Sequence, residues 1–166
     1  GYTAKELVDI SETNMKPYTK TYDKKMILQA LLHECPMDVK SVDSLENDLS
    51  SKWDTENKVL YLCRNEDSNI AFKTAITELA KINIYDNTKE VDNEKAECVA
   101  YMLCKKYGFD IEFDNIEKIT ERFKDMEKKD VVNELTSIKE SVKELNKQIS
   151  DYVQENIKQK NKEQER

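Results

Sequence analysis

The sequence predicts an α+β domain that is rich in helix and has a small sheet and a long C-terminal helix. Apolar residues recur at helical spacing over residues 70–81, which predicts an amphipathic helix. A polar turn at residues 54–57 is followed by the apolar run 59–63, which predicts a β-hairpin. From residue 128 onwards, apolar residues alternate at spacings of three and four over about four heptads, which predicts one long helix.

The elements that precede the hairpin are shorter. Residues 2–17 combine a helical turn, an extended segment and a polar turn. A helix is predicted over residues 22–34, and Pro36 ends it. Residues 37–42 predict a short strand, and because Asp and Lys alternate there with apolar residues, we expect this strand to lie at an edge of the sheet.

Two helices follow the hairpin. The first is predicted over residues 67–82, and its N-cap is one of Asn65, Asp67 and Ser68. A polar loop is predicted at residues 83–88. The second helix is predicted over residues 92–107, and Gly108 is expected to form its C-cap, since glycine adopts the left-handed conformation that ends many helices.

The long C-terminal helix is predicted to reach about residue 159, after a shorter helix over residues 116–126. Two interleaved series form its apolar stripe: Val131, Ile138, Leu145 and Tyr152, and Leu135, Val142, Ile149 and Asn156. The favoured interpretation is that the first half of this stripe packs back on the domain. The alternative is a homodimer in which two such helices form a coiled coil. We expect the charged tail beyond Tyr152 to fray.

Charge and glycine content exclude several classes of function. Charged residues make up 37% of the 166-residue chain and its net charge is −7, which disfavours direct nucleic-acid binding, since that needs clustered Lys and Arg. The only glycines are Gly1 and Gly108, so no glycine-rich phosphate loop can form. No run of about 18 apolar residues occurs, so we expect no membrane segment and a cytoplasmic location.

The cysteines and the single histidine do not predict a catalytic site. The four cysteines form no Cys-x-x-Cys pair, and reduced, mostly buried thiols are the favoured interpretation: Cys35, Cys63, Cys98 and Cys104. His33 is the only histidine, so a conventional zinc site cannot be assembled from adjacent motifs. We expect His33 to lie at the C-terminal end of its helix.

Thr77, Glu78 and Lys81 form the most informative pattern in the chain. Thr77 and Lys81 are four residues apart and therefore share one face of the predicted helix, with Glu78 beside them. Zinc peptidases place two histidine ligands and a general-base glutamate at this spacing, in the motif His-Glu-x-x-His. The glutamate is present here, whereas other residues stand at both histidine positions.

Three segments carry a resemblance to a known family. Lys73-Thr-Ala-Ile-Thr-Glu-Leu-Ala-Lys81 resembles the zinc-binding helix, commonly Thr-Leu-x-His-Glu-Leu-Ala-His, of the ArdC-type antirestriction proteins and the ImmA/IrrE group of zincin-like metallopeptidases. Ala96-Glu-Cys-Val-Ala-Tyr101 is similar to the next helix of that family, and residues 8–17 are similar to the segment that opens its domain. The three segments follow the order of the family over about the first two thirds of the chain.

The resemblance implies a division of the chain and a fold. Residues 1–127 would form a zincin-like metallopeptidase domain, in which 67–82 is a degenerate active-site helix and 92–107 the second motif helix. Residues 128–166 would form the long C-terminal helix. In the family, the strand directly before the zinc-binding helix is the sheet edge on which extended substrates lie.

The resemblance also assigns roles to single residues. Glu78 would be a vestigial general base, and Thr77 and Lys81 would stand at the two histidine positions. Lys95 falls where the third zinc ligand, a glutamate, normally stands. A shift in register would offer Glu94 instead, and Glu97 also lies close by in the sequence: these three are the candidates for the third position.

The two lysines have two alternative interpretations. A protonated lysine repels a metal ion, so Lys81 and Lys95 could replace the charge of the cation by pairing with Glu78 and Glu97. Alternatively, both lysines point to solvent, and for Lys95 this second interpretation is favoured. Neither alternative leaves a zinc site, so we expect no metal, no cofactor and no metallopeptidase activity.

The resulting hypothesis is a non-catalytic metallopeptidase-like domain, a pseudoenzyme, from a bacterial mobile element or conjugative transposon. It would act by binding a protein partner. The alternative is an antirestriction or single-stranded-DNA-associated accessory protein, whose nucleic-acid-binding part lies outside this segment. The acidic charge of the chain counts against direct binding of nucleic acid by these residues.

Overall fold

The structure is a computed structural model, and it describes residues 23–33, 35–64, 67–112 and 115–164. The elements in chain order are α1 (Lys24–His33), β1 (Asp38–Val42), a 3₁₀ turn (Glu46–Asp48), β2 (Ser51–Asp54), β3 (Val59–Cys63), α2 (Ser68–Thr88), α3 (Asn93–Lys106), α4 (Ile116–Lys124) and α5 (Lys128–Gln164). The predicted helix-rich α+β fold with a small sheet and a long C-terminal helix is confirmed. The segment 8–17, which carries part of the resemblance, lies outside the described residues.

The three strands form one mixed sheet in the order β1-β3-β2. β2 and β3 make the predicted antiparallel hairpin, and Asp54 accepts hydrogen bonds from the backbone and side-chain amides of Asn57 in the turn. β1 runs parallel to β3 and lies at an edge, as predicted. The strand directly before α2 is β3, which is the central strand with a neighbour on each side, so the expectation that this strand forms the edge is wrong.

α2 begins as predicted and ends later than predicted. Asp67 is its N-cap, and the Asp67 carboxylate accepts a hydrogen bond from the backbone amide of Asn69. The helix continues through residues 83–88, where a polar loop was expected. Ile84 is buried in the core and the Tyr85 ring meets the Trp53 ring edge-on at 5.3 Å. Tertiary packing on these two side chains therefore prolongs a helix whose local sequence is polar.

α3 ends in the glycine cap that the sequence predicts. Gly108 has a φ of +74°, its amide donates to the carbonyl of Lys105, and the amide of Phe109 donates to the carbonyl of Cys104. This pair of hydrogen bonds is the Schellman motif. The motif turns the Phe109 ring back onto Phe72 of α2, with which it stacks at 3.9 Å between ring centroids, and so joins the two helices.

α5 packs along the domain and covers α1, α2 and α3. Its 37 residues span about 55 Å, and its buried apolar side chains are Ile138, Leu145, Ile149 and Val153. We expected the first half of the stripe to pack back on the domain; this is confirmed in part, since the buried positions begin at Ile138 and extend into the second half of the helix as far as Val153. The start of the stripe does not pack on the domain in this way, because Leu135 is exposed. The tail that we expected to fray is helical through Gln164.

The buried core lies between these helices and one face of the sheet. Phe72, Ile76, Leu103 and Ile149 are among its largest fully buried side chains. Across the described parts of the chain, no helix is both long enough and apolar enough to cross a membrane.

Candidate functional site on α2 and α3

The Thr77 side chain faces a small cavity between α2 and α3. Its hydroxyl donates a hydrogen bond to the backbone carbonyl of Lys73, with an Oγ1–O distance of 2.7 Å. The cavity has a volume of about 90 Å³, and its lining residues are Lys73, Thr77, Glu97, Ala100, Tyr101, Ile111 and Glu112. Of the three candidates for the third ligand position, the one that lines this cavity with Thr77 is therefore Glu97.

Glu78 is buried, with 6% of its surface exposed. Its Oε1 atom accepts two hydrogen bonds, from Lys81 Nζ at 2.7 Å and from Ser51 Oγ at 3.0 Å. Lys81 lies three residues further along α2, a spacing at which helical side chains meet, and Ser51 begins β2. The charge of the buried carboxylate is thus compensated within α2, and the serine links this helix to the sheet. The structure shows the first of the two interpretations for Lys81, pairing with Glu78.

Lys95 is buried as well, with 8% of its surface exposed. Its Nζ lies 3.4 Å from the Glu134 carboxylate and 3.3 Å from Ser137 Oγ, both on α5. The favoured expectation that Lys95 points to solvent is wrong, because α5 packs across this part of α3. Pairing of Lys95 with Glu97 is not found either, since both carboxylate oxygens of Glu97 accept from Asn115 Nδ2 at 2.7 Å.

The most extensive charge cluster in the described residues was missed by sequence reasoning. It is centred on Arg122 of α4, whose guanidinium donates to both Asp92 carboxylate oxygens at 2.6 Å and to Glu134 Oε2 at 2.7 Å. With the Lys95–Glu134 pair, this makes a network of four residues joined at 3.4 Å or less, hereafter the Arg122 network. Glu94, another alternative for the third ligand position, lies at its border, 3.8 Å from the Arg122 guanidinium. Asp92 was recognisable as a helix N-cap, but nothing in the sequence pairs positions 92, 122 and 134.

The charges of Arg122 and Asp92 stabilise each other within the Arg122 network. Burial acts to raise the pKa of the Asp92 carboxyl, but hydrogen bonds from Arg122 and from the Lys95 backbone amide outweigh it, so this pKa lies below its ordinary value. The same hydrogen bond from Arg122 to Asp92 raises the pKa of the guanidinium. Two-pronged pairing of a guanidinium with a carboxylate is among the stronger polar contacts in proteins.

The three positions that the resemblance aligns with zinc ligands do not fit a zinc ion. The Thr77 hydroxyl proton is directed to a carbonyl, and Lys81 and Lys95 present ammonium groups that already pair with carboxylates. Zinc is bound by deprotonated nitrogen, sulfur or oxygen donors. Over residues 23–33, 35–64, 67–112 and 115–164, no group of three or more His, Cys, Asp and Glu side chains is arranged to hold a metal ion.

The four cysteines are unpaired thiols, and burial disfavours the reactive thiolate of three of them. Burial raises the pKa of the Cys35 and Cys98 thiols and raises that of the fully buried Cys104 to about 12. A raised pKa lowers the fraction of reactive thiolate. His33 lies at the end of α1 as predicted, and its ring packs on Tyr152 of α5 at 4.9 Å between centroids.

Comparisons of the chain with protein-family models, with curated proteins and with solved structures found no match.

Proposed function

We propose that this chain is a non-catalytic, zincin-like metallopeptidase-related domain that acts in the cytoplasm by binding a protein partner. The observation that carries the proposal is the double engagement of Glu78 Oε1 by Lys81 and Ser51. The proposal also rests on the resemblance of the α2 and α3 segments to the ArdC-type and ImmA/IrrE-type helices, which implies an origin in a bacterial mobile element or conjugative transposon.

The chemistry of Glu78 supports a structural role for this residue. A general base must approach a water molecule and accept its proton. Glu78 is buried, and the Lys81 ammonium group donates a hydrogen bond to its Oε1 atom, an oxygen with which a general base would accept a proton. Lys81 and Ser51 thus both donate to Oε1 of this carboxylate, so Glu78 serves the packing of β2 on α2.

The cavity that Thr77 and Glu97 line is the contact surface we propose for the partner. Glu97 and Glu112 give it acidic groups, Tyr101 and Ile111 give it apolar surface, and Lys73 donates to the Glu112 carbonyl at 3.3 Å. At about 90 Å³ the cavity is too small for most cofactors, since typical ligand pockets occupy roughly 300–1,000 Å³. A single side chain of a partner fits it better.

The first test is metal content. Purified protein is expected to contain far less than one zinc ion per chain, and its melting temperature is expected to be the same with and without a chelator. About one zinc ion per chain, together with a melting temperature that falls on chelation, would contradict the proposal.

The second test separates the proposed function from its alternative. Wild-type protein and a Thr77→Trp variant, which fills the cavity, are used as bait, with Arg64→Ala on the sheet as a matched surface control. A partner that is captured by wild type and the control but lost with Thr77→Trp, and that rebinds as a purified protein, supports the proposal. Binding of single-stranded DNA that weakens steeply between two salt concentrations would favour the antirestriction-associated alternative instead.

A further inference from the structure

α4 is attached to the domain mainly by polar contacts. None of its nine residues is buried, and Ile116 is 61% exposed. Phe123 is half-buried and packs on the core. By comparison, α3 buries six of its fourteen residues. Because burial of apolar area supplies most of the free energy that holds an element in place, α4 is held much more weakly than α3.

Two sets of polar contacts hold the ends of α4. At the first end, Asn115 Nδ2 donates to both carboxylate oxygens of Glu97; we name this the N-terminal latch. At the other end, Arg122 bonds Asp92 and Glu134; we name this the C-terminal latch. Both latches reach α3, so α4 lies across the first half of that helix.

Cys98 directly follows Glu97, the residue of α3 that belongs to the N-terminal latch. It is half-buried and packs against the core. Burial raises the pKa of its thiol, and the charges that also act on this thiol belong to Arg122, Glu97 and Asp92, the residues of both latches. The thiol is therefore placed to report whether α4 stays in position.

We propose that α4 is a releasable strap, which detaches from α3 as a unit when its two latches open while α1, α2, α3 and α5 remain packed. Release frees the Glu97 carboxylate, which lines the cavity that Thr77 faces, and uncovers the first half of α3. The strap therefore controls access to one wall of that cavity. This inference stands independently of the proposed function, because it rests on contacts of α4 alone.

The test is the alkylation rate of each cysteine, measured by mass spectrometry of the separate peptides under native conditions. Arg122→Ala removes the C-terminal latch and is expected to accelerate alkylation of Cys98 by about tenfold, the factor that loss of a charged hydrogen bond of ordinary strength produces. Removal of a positive charge from its surroundings raises the pKa of the Cys98 thiol and on its own slows the reaction. Acceleration therefore reports exposure.

Internal and matched controls complete this experiment. Cys104, fully buried on the same helix, reports opening of the core, and Cys35, half-buried far from α4, reports general loosening. Arg64→Ala removes an exposed ion pair with Asp43 and should leave the rates of Cys35, Cys98 and Cys104 unchanged. Asn115→Ala opens the N-terminal latch without loss of a helix cap, since the Asn115 side chain makes no capping hydrogen bond, and should also accelerate Cys98.

Two results would overturn the proposal. One is a Cys98 rate that stays the same or falls in both latch variants. The other is a rise in the Cys104 rate in parallel with that of Cys98, which would mean that α4 cannot leave without unfolding of the core. Amide hydrogen exchange gives a second measurement: in Arg122→Ala, amides of residues 119–124 are expected to exchange faster while those of residues 99–104 keep the wild-type rate.

Discussion

The ion pair of Glu78 with Lys81 (the Glu78 pair) and the Arg122 network both compensate charges that are largely shielded from water. They differ in where the compensating groups come from. Glu78 and Lys81 lie three residues apart on α2 and meet because of helix geometry alone. The four residues of the Arg122 network come from the N-cap of α3 and from α3, α4 and α5, and they meet only where these helices pack.

Because of this difference, the two clusters stabilise different parts of the fold. The Glu78 pair is compensated inside one helix, and its single outside contact, Ser51, links that helix to the sheet. The Arg122 network has no local pair that would survive separation of the helices, so it determines how α4 and α5 are placed on α3. We therefore expect changes at Glu78 to lower global stability and changes at Arg122 to act mostly on α4.

The largest effect is expected for Glu78→Ala. It removes a buried carboxylate with two hydrogen bonds and leaves the Lys81 ammonium without its partner, so we expect the free energy of unfolding to fall by about 2–4 kcal/mol. Urea denaturation measures this change. Glu155→Ala, at an exposed position of α5, is the control and should change stability by less than about 0.5 kcal/mol.

Glu78→Gln sharpens the same prediction, because the amide oxygen can still accept from Ser51 and Lys81. We expect it to cost less than Glu78→Ala, about 1 kcal/mol. Equal losses for both variants would contradict this expectation and would show that the charge, which both variants remove, stabilises this position, and not the volume and acceptor oxygen that Gln retains.

The second effect concerns Lys95. Lys95→Glu places a third carboxylate beside Glu134 and Asp92, and we expect it to lower the free energy of unfolding by about 2–3 kcal/mol. Lys95→Met is the matched control: it keeps the length of the side chain and leaves Glu134 paired with Arg122, so a change within about 1 kcal/mol is expected. If Lys95→Glu were as stable as wild type, the burial of this lysine against α5 would be wrong.

The third effect is that of Arg122→Ala on global unfolding. Although three contacts are lost, the loss is limited by the small free energy that holds α4, so we expect only about 1–2 kcal/mol. Arg64→Ala, which breaks an exposed pair, should change stability by less than about 0.5 kcal/mol. A loss for Arg122→Ala larger than that for Glu78→Ala would reverse the comparison between the two clusters.

The smallest effect is a dependence on pH that arises from Asp92. Because its pKa is lower in the folded than in the unfolded state, the ionised carboxylate stabilises the fold above the unfolded pKa of about 3.9, and this contribution is lost as the pH falls through the folded pKa. Asp92→Asn keeps an N-cap residue and removes the charge. The stability difference between wild type and this variant is therefore expected to shrink as the pH is lowered below about 4, measured by thermal melts across that range.

An absence of pH dependence in that difference would mean that Arg122 does not stabilise the Asp92 carboxylate. Glu155→Gln, at an exposed site, is the matched control, and its difference from wild type should stay near zero at every pH.

Features whose physical causes lie within a few residues of one another could be predicted from the sequence. The Gly108 cap of α3 and the hairpin of β2 and β3 were predicted, and Asp67 was one of three candidates for the cap of α2, since each of these features depends on backbone conformation or on hydrogen bonds between near neighbours. The apolar stripe of α5 was predicted because a helical period is a property of the sequence itself.

Three further features depend on contacts between residues that are distant in the sequence: the end of α2, the position of β3 in the sheet and the partner of Lys95. Only the tertiary structure shows them. Burial of Ile84 and packing of Tyr85 on Trp53 carry α2 past residue 82, against the polar character of residues 83–88. The parallel pairing of β1 makes β3 the central strand. Lys95 pairs with Glu134, 39 residues away, and not with its near neighbour Glu97. In a chain that is 37% charged, every charged side chain has many possible partners of opposite charge. Which of these ion pairs form is therefore determined by how the helices pack.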